Sequence, residues 1–148
     1  METKKVDLLV IVPPAWRASG TIFEIGPLLD TIKDALDECV NSYDVVSSMD
    51  EYMALPEEKR LSYEVIAPQI GPIAPAIIKD QVANNKNLKW LQSLGAGVDG
   101  FVAIDSFRES DVVLTNVKGA FSEVLGEFIA LGVLYHAKHV ERFMKRKE

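Results

Sequence analysis

One cysteine, two histidines and no excess of basic residues limit what this chain of 148 residues can do. Cys39 has no second thiol to join, which excludes an internal disulfide and suits a reducing compartment. Its ordinary role is that of a small apolar filler on a helix. The net charge of −6 excludes a general nucleic-acid binder, because phosphate contacts require a basic face. The one basic cluster, Arg142 to Lys147, reads as a solvated helix end. No apolar run is long enough to span a bilayer. The N-terminal run stops after about seven residues at Pro13-Pro14, too short for a signal peptide. The expectation is a cytoplasmic chain that engages neither membrane nor nucleic acid.

Reactive constellations are scarce as well. No Ser-His-Asp or Cys-His set can be assembled from the spacing. His136 and His139 form an H-x-x-H pair, but a zinc site needs a third ligand nearby, and Glu141 is poorly placed to serve. No metal site is expected. There is also no internal repeat and no low-complexity tract.

What is present is an alternation of strand-like and helix-like segments. Val6 to Val12 is a continuous apolar run, as expected of a strand covered on both faces, and Pro13-Pro14 ends it. A helix with Leu28, Leu29, Ile32 and Leu36 on one face follows, starting at Pro27. Tyr43 to Ser47 is a second strand, Met49 to Ser62 a polar loop with at most one helical turn, and Tyr63 to Pro68 a third strand. A proline-started helix spans Pro75 to Ala83. A strand over Leu88 to Ser93, a helix over Val98 to Phe107, a strand over Val112 to Leu114 and a long last helix complete the order. Five strands alternating with helices predict an α/β, doubly wound parallel sheet, since parallel neighbours need crossover connections. In such sheets ligands bind beyond the carboxyl ends of the strands.

Gly95-Ala96-Gly97-Val98-Asp99-Gly100 lies at one of those ends and satisfies G-x-G-x-x-G. A dinucleotide site also needs a carboxylate about twenty residues on, at the end of the next strand. Here that strand ends in Thr115-Asn116. What survives is a glycine turn whose backbone N–H groups suit a small anion.

The last helix is apolar on nearly every side from Val124 to Ala137, through Leu125, Phe128, Ile129, Leu131, Val133, Leu134 and Tyr135. A helix on one sheet face needs only a stripe. An all-round apolar helix requires cover from a second domain or a second copy of the chain.

The run Asn87-Leu88-Lys89-Trp90-Leu91-Gln92-Ser93-Leu94-Gly95-Ala96-Gly97-Val98-Asp99, followed by Thr115-Asn116, Gly119, Ser122 and Gly126-Glu127, resembles the D-isomer-specific 2-hydroxyacid dehydrogenases. That family includes glyoxylate/hydroxypyruvate reductases, phosphoglycerate dehydrogenases and D-lactate dehydrogenases. The match is close from Asn87 to about His139 and one of layout only before that. The resemblance implies that residues 1–120 are a flavodoxin-like substrate-binding domain, a five-stranded parallel sheet, and 121–148 a long domain-crossing and interface helix. The cofactor-binding Rossmann domain, with the catalytic arginine, glutamate and histidine, would lie beyond Glu148. NAD or NADP would serve the full-length enzyme and would not bind tightly to this chain alone. A fragment or truncated product, inactive by itself and forming a homodimer, is therefore expected, with a small 2-oxo or 2-hydroxy acid as substrate.

Residue by residue, the resemblance places the substrate carboxylate on the main-chain N–H groups of Ala96 and Gly97, with Gly95 permitting the turn and Val98 next in line. Gln69-Ile70-Gly71 matches the strand end that lines the substrate mouth. Glu123 and Val124 match positions that touch the cofactor, although Glu123 departs from the small or polar residue usual there. No catalytic residue carries over. The other readings are a stand-alone flavodoxin-like binding module, for which the acids of a phospho-receiver are absent, and a regulatory product that dimerises with full-length subunits.

Overall fold

In the computed structural model, which describes residues 4–18 and 24–146, the chain divides into two units, Met1–Val117 and Lys118–Glu148. The first is a five-stranded sheet: β1 (Val6–Ile11), β2 (Val40–Val46), β3 (Val65–Pro68), β4 (Trp90–Gln92) and β5 (Val113–Thr115). Every pairing is parallel and the order is β2-β1-β3-β4-β5. This is the doubly wound order expected, with its reversal of direction between β1 and β3.

β1 takes the centre because it is apolar on both faces. Leu9 and Ile11 point to one side with Val46, Ile66 and Leu91, while Val10 and Val12 point to the other with Ala67. The first side is sealed by α3 (Met49–Ala54), α5 (Ala74–Asn84), α6 (Asp99–Val102) and α7 (Asp105–Arg108), through Tyr52, Ile77, Ile78, Phe101, Ile104 and Phe107. Each such side chain taken from water contributes roughly 1.5–3 kcal/mol. The second side is covered over β1 and β2 by a 3-10 turn (Pro14–Arg17) and α1 (Ile25–Thr31), through Trp16, Ile25 and Leu29. Toward β4 and β5 it is open, with Trp90 41% and Val113 58% exposed.

Several boundaries differ from the sequence reading, each for a local reason. α1 begins at Ile25, not Pro27, so the proline falls inside the first turn, where its missing N–H costs nothing. The helix breaks at Ile32 and resumes as α2 (Lys33–Cys39). Thr31 Oγ1 donates to the Pro27 carbonyl at 2.9 Å, a back-bond that bends helices. Leu28 and Ile32 of the expected buried face are exposed. β2 starts at Val40 because Val6 pairs with Val40 and, after a register shift, Asp7 with Ser42. The stretch that follows β1 forms the 3-10 turn as far as Arg17, and residues 19–23 lie outside the described residues.

The polar stretch after β2 holds two helices, α3 and α4 (Glu57–Arg60). Ser48 caps α3: its hydroxyl accepts from the Glu51 N–H at 3.1 Å, and the Glu51 carboxylate accepts from the Ser47 N–H at 2.7 Å. α3 thereby delivers Tyr52 to the core, fully buried. A polar network holds it there. Gln81 Nε2 donates to Tyr52 Oη (2.7 Å) and to the Arg60 carbonyl (2.8 Å), and Asn85 Nδ2 donates to Gln81 Oε1 and the Tyr63 carbonyl, both at 2.8 Å. Buried amides so satisfied specify the core rather than weaken it.

The second unit holds α8 (Ser122–Ala137) and α9 (Val140–Met144). No side chain of α8 is buried, and Phe128 is 71% exposed. The two helices are separated at His139, which adopts a left-handed φ of 51°.

Candidate functional site

The carboxyl ends of β1, β3, β4 and β5 are tied together by main-chain bonds that run past the last ladder rungs. The Gln69 N–H donates to the Ile11 carbonyl (2.8 Å), Leu94 to Pro68 (3.0 Å) and Ser93 to Thr115 (2.8 Å). Beyond these rungs stands the glycine turn. Ser93, buried, donates through Oγ to the Gly95 carbonyl at 2.9 Å and accepts from the Gly95 N–H at 3.3 Å. Asn116 Nδ2 donates to the Ala96 carbonyl at 2.6 Å. Two carbonyls of the turn are thus engaged by side chains. Among the described residues, no protein acceptor takes the N–H groups of Ala96, Gly97 and Val98. Ala96 and Gly97 are exposed, and Gly95 and Val98 half-buried.

The glycines act differently from expectation. Neither Gly95 nor Gly97 has a positive φ; in the described chain only Gly119 does among glycines. Gly95 is therefore not required to permit the turn. A Cβ at Gly95 or Gly97 would meet Ile70 Cδ1 at 3.8 and 3.6 Å, ordinary contact distances. These distances place Ile70, the residue after Gln69, against the turn formed by the consecutive residues Gly95, Ala96, Gly97 and Val98. Glu123 and Val124 occupy the first turn of α8 in the second unit, both exposed. Asp99 opens α6 and is exposed. Because α6 has four residues, the free N–H groups of the turn, not a helix dipole, are its attraction for an anion.

The titratable groups with shifted pKa values in the first unit lie elsewhere. Asp7, Ser42, Lys59 and Ser62 line a cleft of about 390 Å³ at the amino ends of the strands. The Ser42 hydroxyl, donating to Asp7 at 2.7 Å, holds that carboxyl below its usual range despite partial burial, with Asn41 and Lys59 helping. Burial pushes the Tyr63 phenol well up, reinforced by its bond to Asp44 at 2.8 Å. Burial also raises Tyr52, whose hydroxyl meets Asp80. These groups buttress the fold at the end opposite the turn. The turn can hold and orient an anion, but it carries no acid–base pair. Among the described residues no group of three or more His, Cys, Asp or Glu could hold a metal.

Two features of the site were not apparent from sequence. Asn116 appears there only as the end of a strand motif, and Ser93 only as the last residue of a strand. The polar character of each, one residue past a β-strand, was the available signal.

The fold defines a class: an open parallel sheet in the flavodoxin order with its candidate site at the strand carboxyl ends. Two solved structures share it. One is a D-isomer specific 2-hydroxyacid dehydrogenase from Xanthobacter autotrophicus in complex with NADPH and MES, with a TM-score of 0.57, 22% identity, and 96% of this chain and 39% of that chain covered. The other is a D-isomer specific 2-hydroxyacid dehydrogenase family protein from Aeromonas salmonicida, with a TM-score of 0.57, 19% identity, and 97% and 39% covered. At these identities the likeness establishes the fold, and the chain spans about two-fifths of the length of either protein. No family model matches the chain, and no curated protein matches it in sequence.

Proposed function

We propose that this chain is the N-terminal substrate-binding part of an NAD(P)-dependent D-2-hydroxyacid dehydrogenase that reduces a small 2-oxo acid such as glyoxylate or hydroxypyruvate. The observation that carries the reading is the row of three unengaged N–H groups at Ala96, Gly97 and Val98, at the strand ends of a fold shared with two such dehydrogenases. Successive main-chain donors pin a carboxylate without a counter-charge and leave the adjacent carbonyl to face a hydride donor. Residues 1–120 form the substrate domain in this reading, and 121–148 the helix that leads toward the cofactor domain.

The residues of this chain do not fit a nicotinamide dinucleotide by themselves. β5 ends at Thr115 and is followed by Asn116 where a ribose-binding carboxylate is needed, and Glu123 adds negative charge at the position assigned to cofactor contact. NAD or NADP belongs to the longer enzyme, with Glu123 and Val124 on its border. The chain alone is inactive. The exposed apolar side chains of α8 pair two copies into a homodimer.

The test is an amide-resolved titration of the chain with glyoxylate. The Ala96, Gly97 and Val98 N–H signals shift, and Asn116→Ala, which releases the Ala96 carbonyl, weakens binding about fivefold, the worth of one hydrogen bond. Shifts confined to the amino-end cleft around Asp7 and Lys59 would sink the proposal.

A further inference from the structure

Parallel sheets are stable when both faces are covered, and one face of this sheet is covered over only part of its width. Leu91 and Leu114 pack into the sealed side, so Trp90, Gln92, Val113 and Thr115 face the other way. Trp90 lies opposite Val113 across the strands, and Gln92 opposite Thr115. The cluster closed by α1 takes in Val10, Val12 and Ala67 but neither Trp90 nor Val113, which are exposed. The polar atoms of this bare patch are already paired. Trp90 Nε1 donates to Thr115 Oγ1 (2.7 Å), Thr115 Oγ1 donates to Gln92 Oε1 (2.6 Å), and Gln92 Nε2 donates to the Ser93 carbonyl (2.9 Å). A surface satisfied from within gives up its water at little polar cost. Two strands make the patch about 10 Å wide, the breadth of one helix.

We propose that α8 of a second copy of this chain occupies the patch, and that the first copy's α8 lies on the partner's patch in return. The proposal rests on the homodimer proposed above and fixes its geometry. Charge favours this exchange over α8 packed on α8. The second unit holds six Lys and Arg against four Asp and Glu, a net charge of +2, whereas the first holds ten against eighteen, a net charge of −8. Exchange sets a basic unit on an acidic one; pairing α8 with α8 sets two basic units together. Area favours it too. A helix of 16 residues is about 24 Å long and about 10 Å across, so half of its wall is about 380 Å². Counting both surfaces, one such contact removes about 750 Å² from water, short of the roughly 1,200 Å² of a stable interface. Two reciprocal contacts about a twofold axis remove about 1,500 Å², which is standard size.

The full chain carries two tryptophans, so Trp16→Phe isolates the emission of Trp90. In a concentration series of that variant, Trp90 emission moves to shorter wavelength over the same range in which sedimentation reports the dimer. Val113→Glu, at an exposed position of the patch, puts an unpaired carboxylate into both contacts and raises the dimer dissociation constant at least about a hundredfold. It reads the same face against the wild-type background should Trp16→Phe fail to fold. A dimer in which Trp90 emission is unmoved, or one that Val113→Glu leaves intact, overturns the exchange and leaves the homodimer standing. A wild-type chain that is monomeric at high micromolar concentration overturns both.

Discussion

The strand run Leu8 to Val12 and the helix run Val124 to Tyr135 are similarly apolar, yet their burial is opposite. Leu9, Val10, Ile11 and Val12 are all buried, whereas every side chain of α8 is not. Hydrophobicity does not decide the difference; geometry does. A central strand presents its side chains to two faces in strict alternation, and each face of β1 meets a cluster of its own. α8 is apolar around its whole circumference, so no single surface can bury it. An apolar run becomes core only where its period matches the surfaces available to it.

The comparison breaks first at the sealed side. Phe101→Ala removes a nearly fully buried ring from the core on that side of the sheet and is expected to cost about 3–5 kcal/mol in denaturant unfolding, as a core truncation does. A loss under about 1 kcal/mol would mean that this side is loosely packed. A smaller effect is expected at high pH. Tyr63 and Tyr52 have raised folded-state pKa values, chiefly through burial, whereas an unfolded tyrosine ionises near about 10. Their contribution is fully present below that pH and is lost as pH rises through the folded-state values, because the unfolded state sheds protons first. Stability should therefore fall steadily above about pH 10, and Tyr63→Phe should flatten the fall. An unchanged slope in that variant would place the alkaline transition elsewhere. The smallest effect on stability belongs to the exposed helix. Phe128→Glu with Leu131→Glu should alter the unfolding free energy of the monomer by no more than about 0.5 kcal/mol while abolishing, in sedimentation, the proposed pairing through α8. A wild-type chain that stays monomeric at high micromolar concentration would refute pairing through α8.

Legibility in the sequence followed the same division. β1 and β3 were readable because continuous apolar runs bounded by proline admit few other readings. The two helices between β2 and β3 were not, since acidic residues dominate there; the spacing of Ser48 and Glu51 was the missed cap signal. Val98 to Phe107 reads as one helix but is broken at Ala103-Ile104. Phe101, Ile104 and Phe107 are all buried, and at 3.6 residues per turn a spacing of three drifts by about 60° at each step, which the break corrects. Gln81 and Asn85 gave no sign of burial, because their partners Tyr52, Arg60 and Tyr63 lie far away in sequence. At the candidate site the turn was legible as a glycine motif. Its side-chain braces, Ser93 and Asn116, exist only once distant strand ends meet.

β1 leaves the ribosome before either strand that flanks it, and this sets a timetable for folding. Leu8 must wait for Tyr43 on one edge and for Val65 on the other, and a parallel sheet offers no local hairpin to occupy it meanwhile. Throughout that interval this apolar strand is a naked edge, open to other nascent chains. The hazardous moment in the life of this protein is therefore the interval between the emergence of Val12 from the ribosome and the emergence of Pro68, and slowing synthesis within it should lower the yield of soluble chain more than slowing it after β5 has emerged.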